Sequence, residues 1–317
     1  MHVRYDREAD WTLLETCNYR CSYCFLSDER LGRKMREFAS PQEWRDAFDA
    51  TGDIWLLHLT GGEPSAYPQF VALCELLTER HFISLNTNLT QPSFVRFAER
   101  IDPSRVSFVN AGLHLEEREQ RKGLATFLRH AALLRDKGFP LLISLVATPT
   151  ALERYDEACA LLEPLGMVPI PKVLRGAHGD GAFPRDYSET DRNRFRTFAA
   201  RAREAYAPAL ARMAERPSID MFNDDRFLTR VPKFTGALCA AGDRFVSIKP
   251  NGTVHRCSSK MKLGNLLRRT FVPLSGTAPC DTKYCFYFCN KYSQPQHAPR
   301  RPPETHPLLS LFASLVR

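Results

Sequence analysis

Three cysteines near the start of the chain have a spacing that suits a metal centre. Cys17, Cys21 and Cys24 form the pattern C-x3-C-x2-C, directly after an apolar run at 11–16 that predicts a strand. Three thiolates on one short loop can bind three irons of a four-iron, four-sulfur cluster and leave the fourth iron without a protein ligand. A partial zinc site is the alternative for this motif taken alone. The open iron is what would make such a site reactive.

A second motif, Gly61-Gly62-Glu63-Pro64, follows another apolar run at 54–60. Glycines allow a backbone to approach a ligand closely because they lack a Cβ atom. A carboxylate such as Glu63 offers an acceptor to an ammonium group. Gly-Gly-X-Pro alone is ordinary turn chemistry. Because each motif follows a predicted strand, the two together indicate a shared site.

With these two motifs the chain resembles the radical SAM superfamily. The resemblance implies that Cys17, Cys21 and Cys24 ligate a catalytic [4Fe–4S] cluster. It also implies that S-adenosylmethionine binds the open iron, with Gly61 to Pro64 holding its methionine amino group. An electron from the cluster would then cleave the sulfonium to a 5′-deoxyadenosyl radical, which abstracts a hydrogen atom from a substrate. A flavodoxin- or ferredoxin-type reductant would supply that electron.

Apolar runs alternate with helical patterns through the first half of the chain, and six of them read as strands: 11–16, 54–60, 82–87, 105–113, 139–147 and 167–174. Such alternation predicts βαβ units and a parallel sheet, an α/β fold. The resemblance implies a partial, TIM-like (β/α)6 barrel. Pro169 and Pro171 cannot donate ladder hydrogen bonds, which predicts that the last run is an edge strand. Capping boxes at Ser40–Glu43 and Thr150–Glu153, and one with a shorter acid at Ser188–Asp191, predict three helix starts.

Active-site residues of such barrels gather at the carboxyl ends of the strands. By that position Asn86, Asn88 and Ser144 are further candidates for cofactor binding, as ribose or carboxylate contacts. Four softer candidates remain. Two are the histidines His58 and His114, for which a structural role is the commoner reading, with His114 on the active-site side. The other two, Lys172 and Arg175, could reach the adenosine or a substrate anion.

A second group of cysteines lies near the other end of the chain. Cys239, Gly252 and Cys257 give C-x12-G-x4-C, and three more cysteines follow as C-x4-C-x3-C: Cys280, Cys285 and Cys289. This region resembles the carboxyl-terminal extension of the SPASM and twitch subgroup. The resemblance implies one auxiliary [4Fe–4S] cluster, with Cys239 and Cys257 as ligands and two of the last three completing the set. A zinc knuckle with four thiolates is the alternative.

These features predict four segments. A radical SAM partial barrel takes residues 1–181, and a helical and irregular linker takes 182–238. A small cysteine-rich, twitch/SPASM-like domain for the auxiliary cluster takes 239–293. A proline-rich tail takes 294–317.

The composition, 44% hydrophobic and 25% charged residues in a chain of 317, is that of a soluble globular protein. No signal peptide and no apolar stretch of about 20 residues is present, so a cytoplasmic protein without membrane contact is expected. Ten cysteines in such a chain favour metal sites over disulfides. The net charge of +8 is a mild bias toward anionic partners. No RNA-binding appendage is recognisable, so nucleic acid is not expected as a partner.

The resemblance leaves two substrate classes open. The first is a peptide or protein, modified by a thioether or carbon–carbon crosslink, by oxidation or by epimerisation, with the auxiliary cluster as electron acceptor or substrate anchor. Only ten residues precede the first predicted strand. We therefore expect no leader-recognition domain there, and a peptide that binds the barrel directly or through a separate partner. The alternative is oxidation of a small molecule, such as an aminocyclitol or sugar in natural-product biosynthesis.

Overall fold

The computed structural model describes residues 5–211, 221–222, 224–229, 233–282, 285 and 292–294. Cys289 and the predicted tail beyond residue 294 lie outside these ranges. None of the helices within them is long and apolar enough to cross a bilayer.

Six parallel strands form the centre of the fold, in chain order: β1 (Arg7–Leu14), β2 (Trp55–Gly61), β3 (Phe82–Thr87), β4 (Val106–Gly112), β5 (Leu141–Ala147) and β6 (Ile170–Val173). Each pairs with the next, as the alternating apolar runs predict. β6 ends the described sheet, and Pro171 lies within it, so the predicted edge strand is confirmed. The α/β fold class is therefore confirmed.

Helices connect or follow these strands: α1 (Asp28–Leu31), α2 (Pro41–Asp49), α3 (Phe70–Thr78), α4 (Ser93–Arg100), α5 (Leu115–Gln120), α6 (Leu124–Asp136), α7 (Pro149–Glu153), α8 (Tyr155–Leu162) and α9 (Glu189–Ala211). Single 3-10 turns occur at Pro64–Ala66, Pro103–Arg105, Glu163–Leu165 and Asp224–Phe227. Alternate strand residues, such as Trp11 and Leu57, are buried in the main hydrophobic core with the helices. Their neighbours in the strands point to the other face of the sheet, where Phe108 and Leu142 pack against Ala202 and Tyr206 of α9.

Two of the three predicted capping boxes are confirmed. In the box at Ser188, the hydroxyl accepts from the Asp191 N–H at 3.0 Å and the Asp191 carboxylate accepts from the Ser188 N–H at 3.3 Å. The Ser40 hydroxyl accepts from the Glu43 N–H, and the Glu43 carboxylate accepts from the Ser40 N–H. The box predicted at Thr150 is wrong, because α7 begins at Pro149 and Thr148 is its cap, accepting from the Ala151 N–H at 3.1 Å. Proline fits the first helical position, which moves the cap to the residue before it.

The remaining strands are short: β7 (Gly176–His178), β8 (Gly181–Phe183), β9 (Leu238–Cys239), β10 (Phe245–Ile248), β11 (Thr253–His255), β12 (Lys262–Asn265), β13 (Ala278–Pro279) and β14 (Ser293–Gln294). β7 and β8 form a hairpin, and β9 lies between β13 and β14 in a small antiparallel sheet.

The second half of the chain joins the barrel sheet. β10 pairs in parallel with β1, and β11 and β12 continue from it as an antiparallel meander. Within the described residues the main sheet therefore has nine strands, in the order β12-β11-β10-β1-β2-β3-β4-β5-β6. Residues 245–265 of the predicted auxiliary domain are thus continuous with the barrel. The division into four segments stays a prediction.

Candidate metal and cofactor site

The first three cysteines lie on one loop, residues 15–27, which leaves the carboxyl end of β1 and is called the cysteine loop below. The Cys17 N–H donates to the Leu31 carbonyl at 3.1 Å, and the Cys24 N–H donates to the Cys21 carbonyl at 2.9 Å. All three side chains are partly exposed. Partial burial, with smaller effects from the neighbouring thiols, raises the pKa of Cys17 to about 11 and that of Cys21 to about 12. Thiolates here therefore need a cation, which iron would supply.

Hydrogen-bond donors surround the sulfur atoms of this loop. The Tyr19 N–H donates to Cys17 Sγ at 3.3 Å, and Asn88 Nδ2 lies 3.9 Å from the same sulfur. Such donors are typical of iron–sulfur sites, where they adjust the cluster potential. His114 Nδ1 lies 2.8 Å from the Tyr23 hydroxyl and 3.5 Å from Cys21 Sγ. The loop therefore fits a cluster in both ligand type and surroundings.

His114 takes this position through an unusual backbone. It follows β4 with φ of 43°, in the left-handed region, and its ring stands over Gly112. A Cβ atom at Gly112 would lie 2.2 Å from His114 Nε2, so only glycine leaves room for the ring. Desolvation lowers the pKa of His114 to about 3, and the ring is therefore neutral near pH 7. Of the two candidate histidines, this one contacts the cysteine loop.

The two glycines of the second motif bring the end of β2 against the start of the cysteine loop. The Gly62 N–H donates to the Leu14 carbonyl and the Glu63 N–H to the Thr16 carbonyl, both at 2.9 Å. A Cβ atom at Gly61 would lie 2.0 Å from the Leu14 oxygen, and one at Gly62 would lie 2.1 Å from the Thr16 oxygen. Close approach of backbone to backbone thus requires glycine at both positions.

Glu63 is 1% exposed, and its carboxylate connects Ser65, Thr87 and Asn88. Its Oε1 accepts from the Thr87 hydroxyl at 2.6 Å and from both the hydroxyl and the N–H of Ser65. Its Oε2 accepts from the Asn88 N–H at 2.6 Å. A carboxylate oxygen has two lone pairs, so Oε2 keeps the capacity to accept from a ligand such as an ammonium. Burial raises the pKa of Glu63, and these hydrogen bonds oppose that rise.

Asn86, Asn88 and Ser144 have different surroundings. The Asn88 side chain donates to Asn18 Oδ1 at 2.9 Å and so contacts the cysteine loop. Asn86 Oδ1 accepts from Asn110 Nδ2 at 2.8 Å, across the β3–β4 pair. Asn110 Oδ1 is buried without a hydrogen-bond partner among the described residues. Ser144 lies opposite Gly112 in the β4–β5 register. These residues give the carboxyl half of the barrel a polar interior.

Arg118 is a central residue that the sequence analysis missed. It is fully buried, its guanidinium donates to the carbonyls of Asn88, Gly112 and Leu113, and it lies 4.0 Å over the Phe127 ring. Its Nη1 also lies 3.2 Å from the Tyr19 hydroxyl. Arg118 thereby connects β3, β4 and the cysteine loop. Its position in a run of charged residues gives no sequence signal for this role.

The remaining candidates, Lys172, Arg175 and His58, have partners outside the cysteine loop. Lys172 Nζ and Arg175 Nη2 lie 3.1 and 3.8 Å from Asp224 Oδ1, a side chain that is 2% exposed. His58 lies 3.4 Å from Glu8 Oε2 and 2.6 Å from the Ser84 hydroxyl, and all three residues are fully buried. The structural reading of His58 therefore fits its surroundings.

Two thiols of the second cysteine group lie near enough to Cys257 to interact with it. Cys280 and Cys285 interact electrostatically with Cys257, whose pKa is raised mainly by burial and further by these two thiols. Cys239 is buried on β9, where its backbone pairs with Ala278 of β13. In the described part of the chain no three His, Cys, Asp or Glu side chains converge on a point that could hold one metal ion. A four-iron cluster instead takes one cysteine for each iron.

Comparison with known families adds to this geometry. The model of the radical SAM superfamily matches residues 11–162. Residues 11–162 form a radical SAM domain. The chain is 26% identical over 266 residues to PqqA peptide cyclase of Ruegeria pomeroyi, covering 80% of this chain and 68% of that one. It is 40% identical over 88 residues to 7-carboxy-7-deazaguanine synthase of Methanothermobacter thermautotrophicus, covering 27% of this chain and 33% of that enzyme.

Two solved structures share the fold of this chain. One is anSMEcpe with bound AdoMet, at 19% identity and a TM-score of 0.54, covering 83% of this chain and 79% of that one. The other is SuiB of Streptococcus suis bound to S-adenosylmethionine, at 15% identity and a TM-score of 0.55, covering 84% of this chain and 64% of SuiB. The likeness extends beyond residue 162 into the second half of the chain. The expected radical SAM fold is confirmed.

Proposed function

We propose that this radical SAM enzyme binds a [4Fe–4S] cluster through Cys17, Cys21 and Cys24 and modifies a peptide. The observation that supports it best is the meeting of the cysteine loop, the Gly62–Glu63 turn and Asn88 at one end of the sheet. When bound, the cluster and S-adenosylmethionine together supply a 5′-deoxyadenosyl radical, which removes a hydrogen atom from the substrate.

The chain's own residues hold and orient these groups. The three thiolates bind iron, and Gly61 to Pro64 form the turn that receives the methionine end of the cofactor. Glu63 Oε2 would accept from the ammonium of the cofactor, and the Asn88 N–H holds the Glu63 carboxylate in place. Asn86 and Ser144 provide polar contacts within the barrel. Arg118 connects the ends of β3 and β4 to the cysteine loop, through the Asn88 and Gly112 carbonyls and the Tyr19 hydroxyl.

For the second cysteine group we propose an auxiliary [4Fe–4S] cluster in a twitch-like arrangement. Cys257, Cys280 and Cys285 supply three ligands, supported by the electrostatic interaction of the Cys257 thiol with each of the other two. Cys239 supplies the fourth, and Cys289, outside the described residues, is the alternative. The role of this auxiliary cluster is to accept the electron left on the substrate or to anchor the substrate.

We also propose the division of the chain into four segments. The barrel ends at residue 181, the linker at 238, the auxiliary domain at 293 and the tail at 317.

A peptide is the substrate class that the relatives favour. PqqA peptide cyclase is the curated relative with the longer match, and SuiB has been solved with its precursor peptide SuiA. We propose that the chain abstracts hydrogen from a peptide carbon and forms a crosslink or an oxidised or epimerised residue. A flavodoxin- or ferredoxin-type protein in the cytoplasm provides the electron.

The test uses anaerobically reconstituted protein, S-adenosylmethionine, dithionite and synthetic peptides encoded by short reading frames found beside the gene, carrying deuterium at their α-carbons and side-chain carbons. Transfer of deuterium into 5′-deoxyadenosine, with a changed peptide mass, is the expected result. Deuterium transfer from a labelled aminocyclitol or sugar, and none from the peptide, would instead establish the small-molecule reaction. About eight irons per chain are expected for two clusters.

A further inference from the structure

Arg256 has an unusual set of partners for a buried cation. The residue is 2% exposed. Its guanidinium makes four hydrogen bonds, all to backbone carbonyls: Ala241 (2.9 Å), Cys239 (3.3 Å), Ala278 (2.6 Å) and Pro279 (2.6 Å). None of these four partners carries a charge. Burying an ion is costly unless an opposite charge compensates it, so the surroundings of Arg256 favour an anionic group nearby.

The four carbonyls belong to the segments that carry the second cysteine group. One is the carbonyl of Cys239 itself, and Pro279 directly precedes Cys280. Arg256 directly precedes Cys257. One rigid guanidinium with five donors thus connects the backbone at three of the cysteines. Lysine, with a single nitrogen, cannot span the same carbonyls.

We propose that Arg256 is a positioning residue of the second cysteine site, which fixes the spacing of Cys239, Cys257 and Cys280 and compensates the negative charge of a metal–thiolate centre. The inference rests on the proposed auxiliary cluster and adds the residue that assembles it. Two effects are separable. The planar guanidinium fixes the spacing of the cysteines and hence the retention of iron. Its positive charge raises the reduction potential of a cluster beside it.

The test isolates the second site in a full-length chain in which Cys17, Cys21 and Cys24 are all replaced by alanine. In that background Arg256→Gln and Arg256→Lys are compared with Arg268→Gln, a control at an exposed position after β12. The background and the control should hold about four irons per chain. Arg256→Gln should release iron to a chelator about 10–100-fold faster and shift the midpoint potential to more negative values. Arg256→Lys should release iron almost as fast but restore most of the potential.

The experiment distinguishes failure of the auxiliary cluster from failure of the role of Arg256. Absence of iron from the background chain would overturn the auxiliary cluster itself. About four irons in the background, with iron release and potential of Arg256→Gln equal to those of Arg268→Gln, would overturn the role of Arg256 alone. If Arg256→Gln does not fold, Arg256→Lys decides, because iron release as slow as the control's would contradict the proposal. In the chain with all its cysteines, folded Arg256 variants should still form 5′-deoxyadenosine, which reports on the first site.

Discussion

The carboxylate of Glu63 organises the cofactor end of the sheet. It binds the turn after β2 to the end of β3 through Thr87 and Asn88, and its own N–H binds the cysteine loop through Thr16. All four groups that donate to it are neutral. Its negative charge is therefore available to a cationic ligand, and this is the property that an amide would lack.

Replacing Glu63 by glutamine should separate this charge from the size of the side chain. We expect the KM for S-adenosylmethionine to rise at least about tenfold, because a charge-assisted hydrogen bond contributes about 1.5–3 kcal/mol. Iron at the first site should stay near four per chain. Glu79→Gln, at the exposed end of α3, should leave the KM unchanged. An unchanged KM in Glu63→Gln would contradict a role for this charge in cofactor binding.

At the scale of single residues, the sequence was informative where the chemistry is local. Cys17, Cys21 and Cys24 share one loop, so their spacing alone predicts a common site. Arg118 and Arg256 gave no such signal, because both act through carbonyls brought together only by folding. The glycines of the second motif were predicted because they would let the backbone approach a ligand. In the structure they instead let the turn after β2 approach the backbone of Leu14 and Thr16.

Among the elements, the strands were predicted well and the caps less well. Apolar runs located all six parallel strands within a few residues, because burial on both faces leaves continuous apolar sequence. The start of α7 was misplaced, since proline at its first position outweighs the spacing of a capping box. No local pattern indicated that β10 would pair with β1, which is a contact between residues more than 200 positions apart.

His81 connects three of these elements at the amino ends of β2 and β3. It is fully buried before β3, its Nδ1 accepts from the Trp55 N–H of β2 at 3.3 Å, and its Nε2 lies 3.2 Å from Asp49 Oδ1 of α2. Burial lowers the pKa of His81 to about 4, despite the nearby carboxylate. The folded chain therefore binds this proton less readily than the unfolded chain, whose histidine titrates near 6.5.

Stability should consequently fall as the pH falls from about 6.5 toward 4. Between these values the unfolded chain takes up a proton that the folded chain excludes, which costs about 1–2 kcal/mol at pH 5. Above pH 7 both states are neutral and the effect vanishes. His81→Asn, whose amide oxygen replaces Nδ1 as acceptor, should lose this part of the pH dependence. Urea unfolding at pH 7.5 and pH 5.0 measures it, and equal pH dependence in the two proteins would contradict the assignment.

At the scale of the whole molecule, one sheet joins residues 7–14 to residues 245–265. β10 lies beside β1, the strand that leads into the cysteine loop, and Val246 and Ile248 are fully buried in the core beneath the helices. The carboxyl part is thus expected to stabilise the first cofactor site as well as its own. The sequence predicted two cysteine regions but treated them as separate segments, because nothing in the local pattern reveals a shared core.

An aspartate at Val246 tests this shared core. Burying an uncompensated carboxylate there should destabilise the whole protein by about 3 kcal/mol or more, and the first site should lose iron although its cysteines are intact. Val272, which is 69% exposed, gives the control, and Val272→Asp should change stability by less than about 0.5 kcal/mol. Full iron retention at the first site in Val246→Asp would show that the two regions are independent.

Formation of 5′-deoxyadenosine tests the central claim most directly. The anaerobically reconstituted protein is mixed with S-adenosylmethionine and dithionite, and the nucleoside is measured by liquid chromatography. Wild type and Cys159→Ala, which alters a buried thiol on α8, should both form it. Cys21→Ala should form no more than the reagents alone. No product from wild type with its iron restored, or undiminished product from Cys21→Ala, would contradict the claim that the first three cysteines hold the reactive cluster.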